Sequence, residues 1–274
     1  MLKKPSTVVT TLLLALTLSA CSSTEGKKIE EVLTKSSDVS ENLESFAVKT
    51  ESEQTIQLES DETNGLPQGG IPIVSTIDAV HQVEPEAFYQ TVETMDQVTE
   101  QYYTEKGLYM TSPTQDGWVK APENILDQIQ AMSAESQTPA EQLQHLEKYV
   151  EDFQLKQEEE NYILTFQSNV ENAQQLVEDA VQENLPADEI PEELLNTLDV
   201  NELKYRMVIN KDTYYPQTFS MDMDFNMEEE NGERIQLQQS LYSEFSRFNE
   251  IEEITIPQNI LDEAEEIEDM PGLF

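Results

Sequence analysis

The chain has 274 residues, with 56 Asp and Glu against 15 Lys and Arg, a formal net charge of −41. A surface this acidic cannot displace counterions from a phosphate backbone, which argues against nucleic acid as a partner. It also opposes close approach to anionic lipid.

At the N-terminus, Lys3 and Lys4 precede an apolar run from Val8 to Leu18 that closes on Ser19, Ala20 and Cys21. These are the charged, apolar and small-residue regions of a secretory leader. The run is too short for a transmembrane helix, which needs roughly 20 apolar residues. Leu18-Ser19-Ala20-Cys21 resembles the lipobox of bacterial lipoprotein precursors, and the one cysteine of the chain falls where the lipid chemistry needs a thiol. That resemblance implies cleavage before Cys21, a diacylglycerol thioether on its sulfur, and a mature chain anchored in the cell membrane on its extracytoplasmic face. The expected division is a leader over 1–20, a lipidated tether over 21–27, a single domain over 28–266 and an acidic C-terminal tail over 267–274. About 250 residues remain after cleavage, enough for one substantial core. With the thiol acylated there is no disulfide, so packing must supply the stability.

Beyond the polar stretch Ser22 to Gly26, Ile29, Val32, Leu33, Ser36, Val39 and Leu43 recur at helical spacing, which predicts an amphipathic helix over Lys27 to Glu44. From Phe46 the period becomes two. Phe46, Val48, Ile56 and Leu58 share a face with Thr50, Ser52 and Gln54, while Lys49, Glu51 and Glu53 lie opposite. Ser60 to Gly70, with Asn64-Gly65 and Gly69-Gly70, reads as a loop. Ile71, Ile73, Ile77 and Val83 mark a second strand and Phe88 to Tyr103 a third. Leu108 to Met110 and Trp118 to Lys120 read as a hairpin around Asp116-Gly117.

The middle of the chain turns helical. Ile125, Leu126, Ile129 and Met132 form one apolar stripe, and Leu143, Leu146, Val150 and Phe153 form another after Thr138-Pro139. Tyr162, Leu164 and Phe166 alternate as a strand, and Val170, Ala173, Leu176, Val177, Ala180 and Val181 build a helix behind a Ser168-Asn169 cap. Pro186 and Pro191 bracket a break. Leu203, Tyr205, Met207 and Ile209 alternate against Lys204 and Arg206, and a turn follows over Lys211 to Pro216. Phe219, Met221, Met223, Phe225 and Met227 then line one face, with Ser220, Asp222, Asp224, Asn226 and Glu228 on the other. Asn231-Gly232 makes the hairpin turn, Ile235, Leu237, Leu241 and Phe245 continue the apolar face, and Ile254 to Pro257 leads into a short acidic helix.

The chain carries no catalytic signature. His81 and His145 are far apart in sequence and form no paired-histidine zinc motif. His81 reads as a core histidine and His145 as exposed. Nucleophile-elbow, phosphate-loop and dinucleotide motifs are absent, as are the EF-hand spacing and its glycine. Asp222 and Asp224 share a face because any strand repeats every two residues. No enzyme activity, metal or cofactor is expected. Phe219, Met221, Met223, Phe225 and Met227 are the candidate ligand-binding residues, since Met adapts to irregular apolar partners; an ordinary core needs the same face.

The succession of a helix, long antiparallel strands, a central helical insertion and further strands resembles the LolA-like superfamily, an α+β fold. Tyr102-Tyr103, Gly107-Leu108-Tyr109-Met110 and Trp118-Val119-Lys120 are similar to a hairpin of the LppX/LprG-type lipoproteins and related uncharacterised Gram-positive lipoproteins. Asp212-Thr213-Tyr214-Tyr215-Pro216, Phe248-Asn249 and Ile254-Thr255-Ile256-Pro257 are similar to that group too. The resemblance implies an unclosed antiparallel β-barrel with helices over the concave face of a curved sheet. It also implies a non-enzymatic carrier or sensor of a lipid or other amphipathic ligand, with the Phe219 to Met227 face among the lining. The alternative is an acidic cell-envelope interaction module with a filled barrel, no ligand and a basic partner.

Overall fold

The computed structural model describes residues 22–59, 70–112, 115–122, 149–166, 173–176, 197–228 and 234–267, with Pro139, Leu143 and Leu146. Helix α1 (Ser22–Glu41) leads into a run of strands: β1 (Ser45–Glu59), β2 (Ile71–Gln82), β3 (Ala87–Thr94), β4 (Gln97–Thr104), β5 (Gly107–Ser112) and β6 (Gln115–Lys120). A 3₁₀ turn (Val150–Asp152) opens the second run: β7 (Phe153–Gln157), β8 (Asn161–Phe166), β9 (Asp199–Asn210), β10 (Pro216–Glu228) and β11 (Arg234–Ser246). Helix α2 (Gln258–Glu263) and the two-residue β12 (Glu265–Glu266) close the described chain.

All twelve strands form one curved, unclosed sheet in the order β12-β6-β5-β4-β3-β2-β1-β11-β10-β9-β8-β7. Two antiparallel meanders, β1 to β6 and β7 to β11, are therefore spliced by the pairing of the first long strand with the last, Ala47 opposite Ser246 through Glu59 opposite Arg234. Only β12 on β6 runs parallel. Among the described residues no helix is long and apolar enough to cross a membrane.

Helix α1 buries Ile29, Val32 and Leu33 in a cluster shared with Phe46, Leu164, Met207, Phe219 and Phe245 of the sheet. Each such side chain contributes roughly 1.5–3 kcal/mol by leaving water. Lys28 lies 5.6 Å from the ring centre of Tyr162, and Lys35 lies 5.0 Å from that of Tyr214. The helix ends where the Asn42 amide donates to the Asp38 carbonyl at 2.6 Å. Asn249 then starts β1: its Oδ1 accepts from the Glu44 N–H at 2.8 Å, and its own N–H donates to the Ser45 carbonyl at 2.7 Å.

Several sequence expectations shift. The helix begins at Ser22 and ends at Glu41, so Ser22 to Gly26 is helical and belongs to α1. The expected third strand, Phe88 to Tyr103, is a hairpin folded at Met95-Asp96, both residues at positive φ (50° and 63°). Asp116-Gly117 falls inside β6 beside a register shift, so the hairpin is present with its turn elsewhere. Phe153 starts β7, which the helical stripe ending on it had hidden; its ring packs edge-on against Phe166 at 5.4 Å. Pro139, Leu143, Leu146 and Ala173 to Leu176 are helical as expected, Val150 opens the 3₁₀ turn, and the other stripe residues, the Ser168-Asn169 cap, Pro186 and Pro191 lie outside the described residues.

Candidate functional site

Residues paired across neighbouring strands point to the same side of a sheet, so the register assigns each position to a face. Starting from Thr50, one row runs through Ser243, Phe219, Met207 and Leu164 in one direction and through Ile77, Val92 and Thr99 in the other. The row beside it joins Ser52 to Leu241, Met221 and Tyr205, and to Ser75, Thr94 and Gln97. This is the face on which α1 packs, hereafter the inner face. The opposite face carries Lys49, Glu51, Glu53, Asp78, Glu93, Glu100, Asp222 and Asp224.

The inner face divides in two. On β7 to β11 it is apolar: Phe219 and Phe225 are buried, while Met221, Met223 and Met227 are half-buried against the main cluster. Leu143, Leu146, Ala173 and Leu176 of the helical middle belong to that cluster. All five sequence candidates thus share one face, two inside the core and three at its margin. On β1 to β4 the face is half-buried and polar. Thr50 and Ser243 share a hydrogen bond of 2.9 Å, the Thr94 hydroxyl donates to Ser75 at 3.1 Å, and the Gln90 amide donates to Gln101 at 2.8 Å. Ile56 is 43% exposed beside Gln54 on the same face. No Asp, Glu, Lys or Arg occupies an inner-face register position on any strand from β1 to β11.

His81 stands on this face in an aromatic row, stacked on Phe46 at 4.9 Å with Phe88 at 5.9 Å. Burial disfavours its cation and lowers its pKa to about 4. It is half-buried between the aromatic rings of two clusters rather than inside a core. Burial likewise pushes the Tyr205 phenol up to about 12. Cys21 and His145 lie outside the described residues.

On the outer face, Glu53, Glu202, Asp222 and Asp224 border a shallow depression of about 300 Å³. Burial works to raise the Asp224 pKa, but amide donors outweigh it: Gln238 at 2.7 Å, Gln236 at 3.0 Å and Asn201 at 2.8 Å hold the carboxyl below its usual range. Asp222 accepts from the Ser240 hydroxyl at 2.8 Å. Among the described residues no group of three or more His, Cys, Asp or Glu is placed to hold a metal ion.

The motif residues singled out in the sequence meet at strand ends. Tyr215 stacks on Phe248 at 4.5 Å, and Tyr102 contacts Trp118 at 5.6 Å. They fix turns and the β1 start rather than a site. Sequence comparison matches residues 28–265 to a family of unknown function, DUF6612. The chain belongs to the DUF6612 family. No curated protein matches it. Among solved structures it is similar to a DUF1329 family protein from Desulfovibrio piger, at 10% identity and a TM-score of 0.23, over 79% of this chain and 92% of that one. It is also similar to a β-barrel-like protein of the DUF1849 group from Brucella abortus, at 6% identity and a TM-score of 0.19, over 74% and 99% of the two chains.

Sequence reasoning found the polar interruption at Thr50, Ser52 and Gln54. It missed the continuation through Ser75, Thr94, Gln90 and Gln101, because reading β3 and β4 as one strand hid their cross-strand pairing. It also missed Ser40, which extends the Ile29, Leu33 and Ser36 stripe by one more helical step.

Proposed function

We propose that this DUF6612 protein is a non-enzymatic lipoprotein, anchored through Cys21 on the extracytoplasmic face of the cell membrane, that binds a lipid or other amphipathic ligand. The site lies between the inner face of a LolA-like sheet and the helices that cover its concave side. The observation that carries this is the uncharged inner face extending past the region where burial demands it. A dry core excludes charge for its own stability, but β1 to β4 are half-buried there. In a chain with 56 acidic residues, half-buried strand positions without a single carboxylate suit an occupant with apolar and neutral polar parts. Met221, Met223 and Met227 of β10 supply an adaptable, half-buried surface in the apolar half.

Burial of Phe219 and Phe225 favours a second reading, a filled interior with an acidic outer surface for basic envelope partners. The two separate on one variant. Met223→Asp should abolish ligand retention, whereas a variant equally destabilised on the outer face should keep it; equal retention in both overturns the ligand site.

A further inference from the structure

We propose that the ligand is an acyl lipid whose head carries hydroxyl or ester oxygens and no formal charge, seated on the polar half of the inner face, and that phosphate-headed lipids are rejected. The inference rests on the ligand-binding reading above and adds the chemistry of the head. A phosphate taken out of water needs cations or a ring of donors in exchange. The inner face offers no Lys or Arg on any strand from β1 to β11, and the acids of the outer face add a repulsive field. The imidazole of His81 supplies no cation either, since it stays neutral well below pH 6.

What the half-buried stretch does offer is neutral and paired at fixed spacing: Thr50, Ser75, Thr94 and Gln90 present hydroxyls and amides that can each accept and donate. Hydroxyl or ester oxygens match such hydroxyls and amides without bringing a charge indoors.

The test offers the lipid-anchored protein, stripped of bound lipid in neutral detergent, an equimolar mixture of dioleoylglycerol and dioleoylphosphatidylglycerol, with the bound fraction read by native mass spectrometry. Dioleoylglycerol should be retained at least about tenfold over its phosphate-bearing counterpart. Gln54→Lys, which puts a cation at the polar half, should move that ratio toward phosphatidylglycerol by about tenfold. Equal or preferred retention of phosphatidylglycerol by the unaltered protein overturns the proposal and leaves a ligand site standing. Retention of neither lipid overturns the ligand-binding reading and the head-group inference together.

Discussion

At the scale of single residues, His81 joins two cores: it stacks on Phe46 of the main cluster and touches Phe88, which belongs to the smaller one with Tyr103 and Leu108. Its folded pKa, about 4, lies below the ordinary 6.5. The unfolded chain therefore binds a proton that the folded chain refuses between those values. The stability of the neutral ring is complete above pH 6.5 and drains as pH falls toward 4. His81→Phe keeps the stacking and removes the proton. Relative to its value at pH 7.5, the stability difference between variant and parent should move in the variant's favour by about 2 kcal/mol at pH 5, at 1.36 kcal/mol per pH unit. Urea melts at the two pH values read this directly, and an unchanged difference would mean the ring protonates freely in the fold. Ser36 calls for the opposite kind of test. Ser36→Ala deletes a buried unpaired hydroxyl and should stabilise the lipid-free protein by about 1 kcal/mol, read as a higher urea midpoint; a fall would place an unseen partner on that oxygen.

At the scale of elements, period-two alternation in β1, β9, β10 and β11 survived folding intact, because on a long half-covered strand the pattern and the register carry the same information. Phe219 to Met227 was legible for that reason. The short hairpins were not. Met95-Asp96 turns the chain with both residues left-handed, a geometry that Asn-Gly signals and Met-Asp does not. β7 was invisible because Phe153 also completes a helical stripe, and the hairpin that pairs it with β8 turns over Glu158-Glu159-Glu160, which carries none of the usual Gly or Asn turn residues. The turn yields a further prediction. Met95→Asn with Asp96→Gly relieves two side chains from a region that costs L residues about 1 kcal/mol each, so the double variant should unfold at higher urea, gaining about 1–2 kcal/mol; a loss would mean that the 64% exposed Met95 side chain contributes to packing.

For the whole molecule, the splice of β1 to β11 turns two meanders into one sheet with a common inner face, and charge is sorted across that sheet rather than along the chain. The net charge of −41 was legible from composition, but that the charged residues paired along β1 to β11 all fall on the outer face emerges only from the register. That sorting gives an acidic chain an uncharged inner face on its strands, the face assigned above to the proposed ligand. Whether a ligand occupies the inner face is read from a native mass spectrum of the purified protein beside an organic extract of the same sample. A reproducible mass excess that matches an extracted lipid is expected. A clean mass of protein alone, unchanged after incubation with membrane lipids, would contradict ligand occupancy and leave a filled sheet whose outer acids meet basic partners.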